Sequence, residues 1–327
     1  MTKFLLCVSL AVALLAVAAA AVDPPHWSYT ETDQEWADLV ASDGSTPNTA
    51  CVGNRQSPVD MRGLVIDDTL KPLGAAWSAF STYLVKNNGH TIQVDSTGTT
   101  PPRFTDPNTK IGYNLLQFHF HSPSEHTWGG AYRDLEVHLV HKDDAGNLLV
   151  VGISFIASPL GVNPFLNQFW QKLLNLRTAG TNSASVTELD FKDVLPTRGE
   201  YATYPGSLTT PPCSEIVTWY VMQDFIAVSN DQLTALRSAL GFAANNLTTF
   251  KVDGNSRRTQ QLNGRVIRRF VGNGDAPDTG VLSPAGKIAV AGIVLACVAL
   301  VIGIIMHVRF LLAGGSAKRA ALPEAEK

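Results

Sequence analysis

Positive charge is not in surplus in this chain. Lysine and arginine number 25 against 28 aspartates and glutamates, a net charge of −3 over 327 residues. No basic footprint for a phosphate backbone exists, so a nucleic-acid partner is excluded. There is no internal repeat. His-Glu-x-x-His is also missing, which removes the zinc hydrolases that place a general-base glutamate beside the metal through that motif. Cysteine is scarce: Cys7 falls in a first apolar run and Cys297 in a second, leaving only Cys51 and Cys213 between them.

Long runs that are both charge-free and almost wholly apolar are confined to the two ends. Lys3 precedes an apolar run from Phe4 to Val17 and small residues through Ala21, so residues 1–21 read as a secretory signal cleaved near Ala20 or Ala21. Residues 22–272 carry the folded domain, and 273–286 open with Asn273-Gly274-Asp275-Ala276-Pro277, a flexible polar linker. Ile288 to Met306 hold no charge, long enough to cross a bilayer, so 287–308 read as a transmembrane helix. Arg309, Lys318 and Arg319 follow it while only Lys287 precedes it. That bias puts the tail, 309–327, in the cytoplasm and the domain outside the cell or in the lumen of the secretory pathway. The charged tail argues against a lipid-anchor signal, which would end in its apolar stretch. Gly292, Ala296, Ala299 and Gly303 share one helix face, a surface on which two spans can pair as a homodimer; an Ala/Gly-rich span accounts for the same stripe. Asn246-Leu247-Thr248 is a glycosylation sequon compatible with that exposure.

The middle is β-rich. Segments 82–86, 91–95, 115–121, 135–141, 148–155 and 216–222 are rich in β-branched and aromatic residues and bounded by turn chemistry, which predicts strands. Asn163 before Pro164 predicts a helix start ahead of Phe165, Phe169, Leu173 and Leu176. Ser229 or Asn230 caps a second helix carrying Leu233, Leu236 and Leu240. About 250 residues is long for one domain but allowed for a β-rich fold.

Chemistry concentrates on two of these strands. His119 and His121 are two residues apart and project to one face, while Phe118 and Phe120 point into the core. A strand over 133–141 beside it aims His138 at the same spot. Three neutral imidazoles on rigid strands make a zinc site with the fourth tetrahedral position open. Gln117 and Glu136 each sit two residues before a ligand on the same face, placed to accept the other ring N–H and fix the tautomer. A glutamate buried there for packing alone would be an uncompensated charge. Alternating His and Phe also fits an ordinary half-buried strand, and only these neighbours displace that reading.

Nine motifs carry a family resemblance: HWSY (26–29), QSPVD (56–60), NNGH (87–90), QFHFH (117–121), SEHT (124–127), EVHLVH (136–141), SLTTPP (207–212), VTW (217–219) and LNGR (262–265). Together they resemble the α-class carbonic anhydrases across the whole soluble domain. Ser122-Pro123 leads directly into Ser124-Glu125, a short turn similar to that of bacterial, plant and algal members. The resemblance implies a β-rich α/β single domain with a central twisted, mostly antiparallel sheet, peripheral helices and zinc at the bottom of a conical cleft. It implies reversible hydration of carbon dioxide to bicarbonate and a proton by zinc-bound hydroxide. The other reading, a catalytically weak or inactive binding module at the cell surface, is disfavoured because such domains lose a ligand histidine and all three stand here.

The resemblance also assigns roles. Thr209 is similar to the threonine that orients the nucleophile and passes its proton toward Glu125, and Thr210 lines the watery side of the cleft. Asn255 joins Gln117 and Glu136 behind the ligands. Val140, Val150, Leu208, Val217 and Trp219 form the dry wall for carbon dioxide, with Thr209 binding the anion through its N–H. Strand alternation independently puts Val140 on the face of His138. His90 resembles the proton shuttle, an imidazole that titrates near neutrality. Tyr29, Asn88 and Gln93 match the residues that order the connecting waters. His126 and His141 match structural slots. Cys51 and Cys213, two cysteines in an oxidising compartment, form one disulfide as in secreted relatives.

Overall fold

The computed structural model describes residues 25–73, 81–173, 176, 184–194, 199–240 and 254–272. The signal, the Asn246 sequon, the linker, the apolar span and the tail lie outside them. Among the described residues no helix is long and apolar enough to cross a membrane.

Twelve strands are described: β1 (Val65–Ile66), β2 (Thr82–Asn87), β3 (Ile92–Ser96), β4 (Arg103–Thr105), β5 (Gly112–His121), β6 (Leu135–Lys142), β7 (Leu148–Ala157), β8 (Ala184–Thr187), β9 (Tyr201–Gly206), β10 (Val217–Met222), β11 (Ile226–Val228) and β12 (Arg268–Phe270). Their order is β1-β12-β9-β10-β7-β6-β5-β3-β2-β8, with β11 beside β7 and β4 beside β5. The sheet is mixed: β7 takes β10 and β11 in parallel and β1 runs parallel to β12, and the other pairings are antiparallel.

Side-chain alternation divides this sheet into two faces. Phe118, Phe120, Val137, Leu139, Val151 and Ile153 are fully buried in one cluster with Phe165, Phe169, Leu233 and Leu236 from the helices. Burying one such side chain contributes about 1.5–3 kcal/mol, so this face supplies the platform on which the opposite face can afford polar groups. Strand β6 is buried along nearly its whole length, as a central strand with both faces covered must be.

The helices are short: α1 (Asp33–Asp38), α2 (Pro164–Asn167), α3 (Trp170–Leu173) and α4 (Asn230–Ala239). Thr32 caps α1 and Ser229 caps α4, each in a reciprocal box with the residue three positions on. Asn163 accepts from Leu166 N as expected, but the run toward Leu176 is not one continuous helix. It breaks at Gln168, whose side chain makes a reciprocal pair of bonds with the Asp190 backbone at 2.7 and 2.8 Å, while Phe165 and Phe169 lock into the core aromatics. Tertiary packing overrides local propensity here.

Candidate metal centre

Register places the histidines. In the antiparallel β5–β6 pair His119 lies opposite His138 and His121 opposite Glu136, so residues of both strands share the second face of the sheet. The ring centroids are 4.9 Å apart for His119 and His121, 5.3 Å for His119 and His138, and 4.5 Å for His121 and His138. One ring nitrogen from each lies within 4.8 Å of the others. His121 and His138 are buried, and His119 stands at the open side.

The back of each ring is held. His119 Nδ1 donates to Gln117 Oε1 at 2.8 Å, His121 Nδ1 to the Asn255 carbonyl at 2.7 Å, and His138 Nε2 to Glu136 Oε1 at 3.0 Å. Those acceptors fix the tautomers, leaving Nε2, Nε2 and Nδ1 as the three lone-pair nitrogens. His121 Nε2 is buried with no hydrogen-bonding partner, a donor atom that protein groups leave unsatisfied. Burial, and the neighbouring imidazoles, hold His119 well below the ordinary imidazole range; burial lowers His121 to about 4 and also lowers His138. All three are therefore neutral near pH 7, as ligands must be. This donor set fits zinc.

Glu136 anchors more than one neighbour. Its Oε2 accepts from the backbone N–H groups of Glu125 and His126 at 2.8 and 2.9 Å, and Oε1 faces His126 Nδ1 at 2.7 Å as well as His138. Burial works to raise this carboxyl, but His126, His138 and the bonds they make hold it well below the usual range. Gly152 makes room: a Cβ there would meet Glu136 Oε1 at 2.9 Å. His126 also bonds Tyr204 through Nε2 at 2.7 Å. His141 points to the other face, beside Phe104.

Beside the triad, Glu125 is fully buried, accepts from Arg257 N at 2.8 Å and receives the Thr209 hydroxyl. Burial pushes its pKa up to about 7 against the pull of His138, Arg257 and Thr209. The loop bearing Thr209 is tied down on several sides. Ser207 N donates to Ser57 Oγ, Gln56 Nε2 to the Cys213 carbonyl, and Trp219 Nε1 to the Ser207 carbonyl. Cys51 and Cys213 form a disulfide, Cα–Cα 4.8 Å. Closing a loop of that 162-residue separation stabilises by about 5 kcal/mol at most in the chain-entropy account. Thr210 is part-exposed at the same loop.

Val140, Val150, Val217 and Trp219 are buried in one cluster with Leu208 packed against it, and the Trp219 ring lies 4.8 Å from that of His138. On the other side, Gln93 is in register with His119. Asn88 Nδ2 donates to Gln93 Oε1 at 3.0 Å, and Tyr29 meets the His121 ring edge-on at 6.5 Å. His90 stacks on Trp27 at 3.8 Å, and burial together with His26 lowers its pKa. The structure thus brings Gln117, Glu136 and Asn255 against the three imidazoles, Glu125 and Trp219 beside them and Gln93 into register with His119, whereas His141 lies on the opposite face.

Sequence reasoning missed Arg257, Tyr204 and Ser57. The Arg257 guanidinium, buried, donates to Asp33, Gln56 Oε1, the Ser57 carbonyl and the Cys51 carbonyl, and so welds α1, the disulfide and the segment holding Glu125. Its only sequence signal was the QSPVD motif that supplies two of those acceptors.

Comparison with known proteins agrees with this geometry. Residues 34–271 match the eukaryotic-type carbonic anhydrase family. A carbonic anhydrase of Klebsiella pneumoniae is 34% identical over 259 residues, covering 77% of this chain and 94% of that protein. Human carbonic anhydrase 7 is 34% identical over 237 residues, 66% of this chain and 88% of its own. Among solved structures, the α-carbonic anhydrase of Thermovibrio ammonificans with sulfanilamide superposes with a TM-score of 0.63 at 32% identity, covering 75% of this chain and 99% of that one. Dioscorin complexed with ascorbate gives 0.61 at 28%, covering 71% and 93%.

Proposed function

This chain belongs to the carbonic anhydrase family, and from that premise we propose that it hydrates carbon dioxide reversibly to bicarbonate and a proton, using one zinc ion held by His119, His121 and His138. The observation that carries the proposal is the set of three back-bonded, neutral imidazoles whose remaining nitrogens converge beside an apolar wall. When bound, zinc supplies a water acidified to a pKa of about 7, a value known from carbonic anhydrases themselves.

The chain's own residues do the rest. Thr209 donates its hydroxyl proton to the Glu125 carboxylate, so its lone pairs are free to accept from the attacking water and set its direction. A cation held by the triad would oppose the effect of burial on Glu125 and favour its carboxylate form. Val140, Val150, Leu208, Val217 and Trp219 keep water from the side where an apolar substrate sits. The Thr209 N–H and Thr210 receive the product anion at the polar rim. Tyr29, Asn88 and Gln93 order water toward His90, which takes the proton out.

The signal, the apolar span and the charge bias around it support a single-pass membrane protein with the catalytic domain outside the cytoplasm, glycosylated at Asn246 and able to pair through its span. Protease added to intact cells is expected to remove the domain and leave a fragment bearing the Lys318-Arg319 tail. For the chemistry, stopped-flow hydration assays on the secreted domain are expected to show fast turnover. Thr209→Ala should keep its zinc and slow hydration by about 10²-fold, the loss typical of one orienting hydrogen bond. Wild-type protein with full zinc and no hydration would return the chain to a binding role.

A further inference from the structure

Beside the triad, on its polar side, a line of amides ends on a carboxylate. Asn88 Oδ1 accepts from the backbone N–H groups of His90 and Thr91 at 2.9 and 2.8 Å, which forces its NH2 group outward. That NH2 donates to Gln93 Oε1 at 3.0 Å, so the Gln93 amide is turned in turn, and its Nε2 donates to Asp95 Oδ1 at 2.5 Å. Asp95 is paired with Lys86, and it sits two residues beyond Gln93 on the strand face that holds Gln117 and His119 in register. Lys86 lies opposite Gln93 across the β2–β3 pair.

An amide is ambiguous: it can present oxygen or NH2 to the same neighbour at little cost. A carboxylate is not, because it only accepts. The line is therefore closed at one end by backbone donors that only donate and at the other by Asp95, and both amides between them are held in one orientation. Lys86 keeps Asp95 in place, and at 36% and 23% side-chain exposure the pair is neither buried nor loose. Asp95 lies in register with Gln117 and bonds Gln93, which lies on the register row that continues through His119 to His138.

We infer that Asp95, tethered by Lys86, is a positioning residue for proton export: it anchors the Gln93 end of an amide pair whose polarity the His90 and Thr91 N–H groups set at Asn88, and so holds in place the pattern of donors and acceptors shown to water between the metal site and His90. The inference rests on the proposed hydration reaction. Water carries a proton along a chain only when its hydrogen bonds point consistently, and a fixed amide pair imposes that direction where a flipping pair would scramble it.

Hydration and proton export are separable in kinetics, which gives the test. Asp95→Asn is isosteric and replaces an obligate acceptor by a group that both donates and accepts. In dilute buffer it is expected to lower kcat several-fold while kcat/KM for carbon dioxide and zinc content stay at wild-type values, and added imidazole should restore kcat. Asp95→Glu, which keeps the carboxylate, should retain most of kcat, and Lys86→Met should show a smaller loss of the same kind. Unchanged kcat for Asp95→Asn in dilute buffer would overturn the inference. So would an equal fall in kcat and kcat/KM, or loss of zinc, since either assigns Asp95 to support of the metal site. Wild-type protein without hydration activity would instead fault the proposed reaction.

Discussion

One face of one sheet carries two opposite environments, and the boundary between them runs through the histidines. Along the register row from β3 to β9, Asp95 and Gln117 give way to Val140, Val150, Trp219 and Tyr204. The parallel row begins at Lys86 and Gln93, passes His119 and His138, and reaches Gly152 and Val221. A sheet face that merely covered a core would be apolar throughout, and one that merely faced solvent would be polar throughout. The division is what the proposed reaction, with its apolar reactant and charged product, would call for.

Two substitutions test that division, and an acid titration tests the burial of histidines on both faces of the sheet. The largest effect is expected on the dry side. Val140→Phe should fill the space beside the triad and lower kcat/KM by about 10²-fold, with zinc retained and only about 1–3 kcal/mol lost to overpacking. Unchanged kcat/KM in the Val140→Phe protein would move the substrate elsewhere. On the polar side, His90→Ala should lower kcat in dilute buffer by about an order of magnitude and leave kcat/KM intact. That is less than the ~10²-fold or more of a group acting in the bond-making step, because water and buffer carry part of the proton. Added imidazole should recover the loss; no change in dilute buffer would remove His90 from the path.

The smallest effect concerns acid stability of the metal-free protein. Burial lowers His121 on the cleft face and His141 on the opposite face to about 4. Unfolded, each titrates near 6.5, so between those values the unfolded chain binds more protons than the folded one. Stability from these groups is full above about 6.5 and falls as pH drops toward 4. Urea unfolding at stepped pH should show that decline, and His141→Gln should remove about one proton from its slope. An unaltered slope would mean that His141 does not stay neutral in the fold.

How much of this was legible depended on the range over which each contact acts. His119, His121 and His138 follow from two-residue periodicity, and so do the partners Gln117 and Glu136, because strand geometry is local. The Asn255 carbonyl that orients His121 comes from 134 residues away, and its backbone oxygen leaves no mark in composition. Asn255 was expected from resemblance, but its side chain does a different job: it bonds Ser122 N, the Phe120 carbonyl and the His90 carbonyl. Central strand β9 was missed because Pro205 and Gly206 argue against a strand interior, yet it pairs with β10 along its whole length. The helix toward Leu176 failed for the converse reason, since Gln168 and the core aromatics decide its course rather than its periodicity.

The central claim is that three imidazoles hold one zinc on which hydration depends. Zinc titrated into the chelator-stripped domain, with carbon dioxide hydration followed by stopped flow, tests it directly. The account predicts negligible activity without metal, a linear rise to a break at one equivalent, and no such rise in His138→Ala at the same zinc concentrations. Hydration by the stripped protein, or a wild-type break reproduced by His138→Ala, would contradict it.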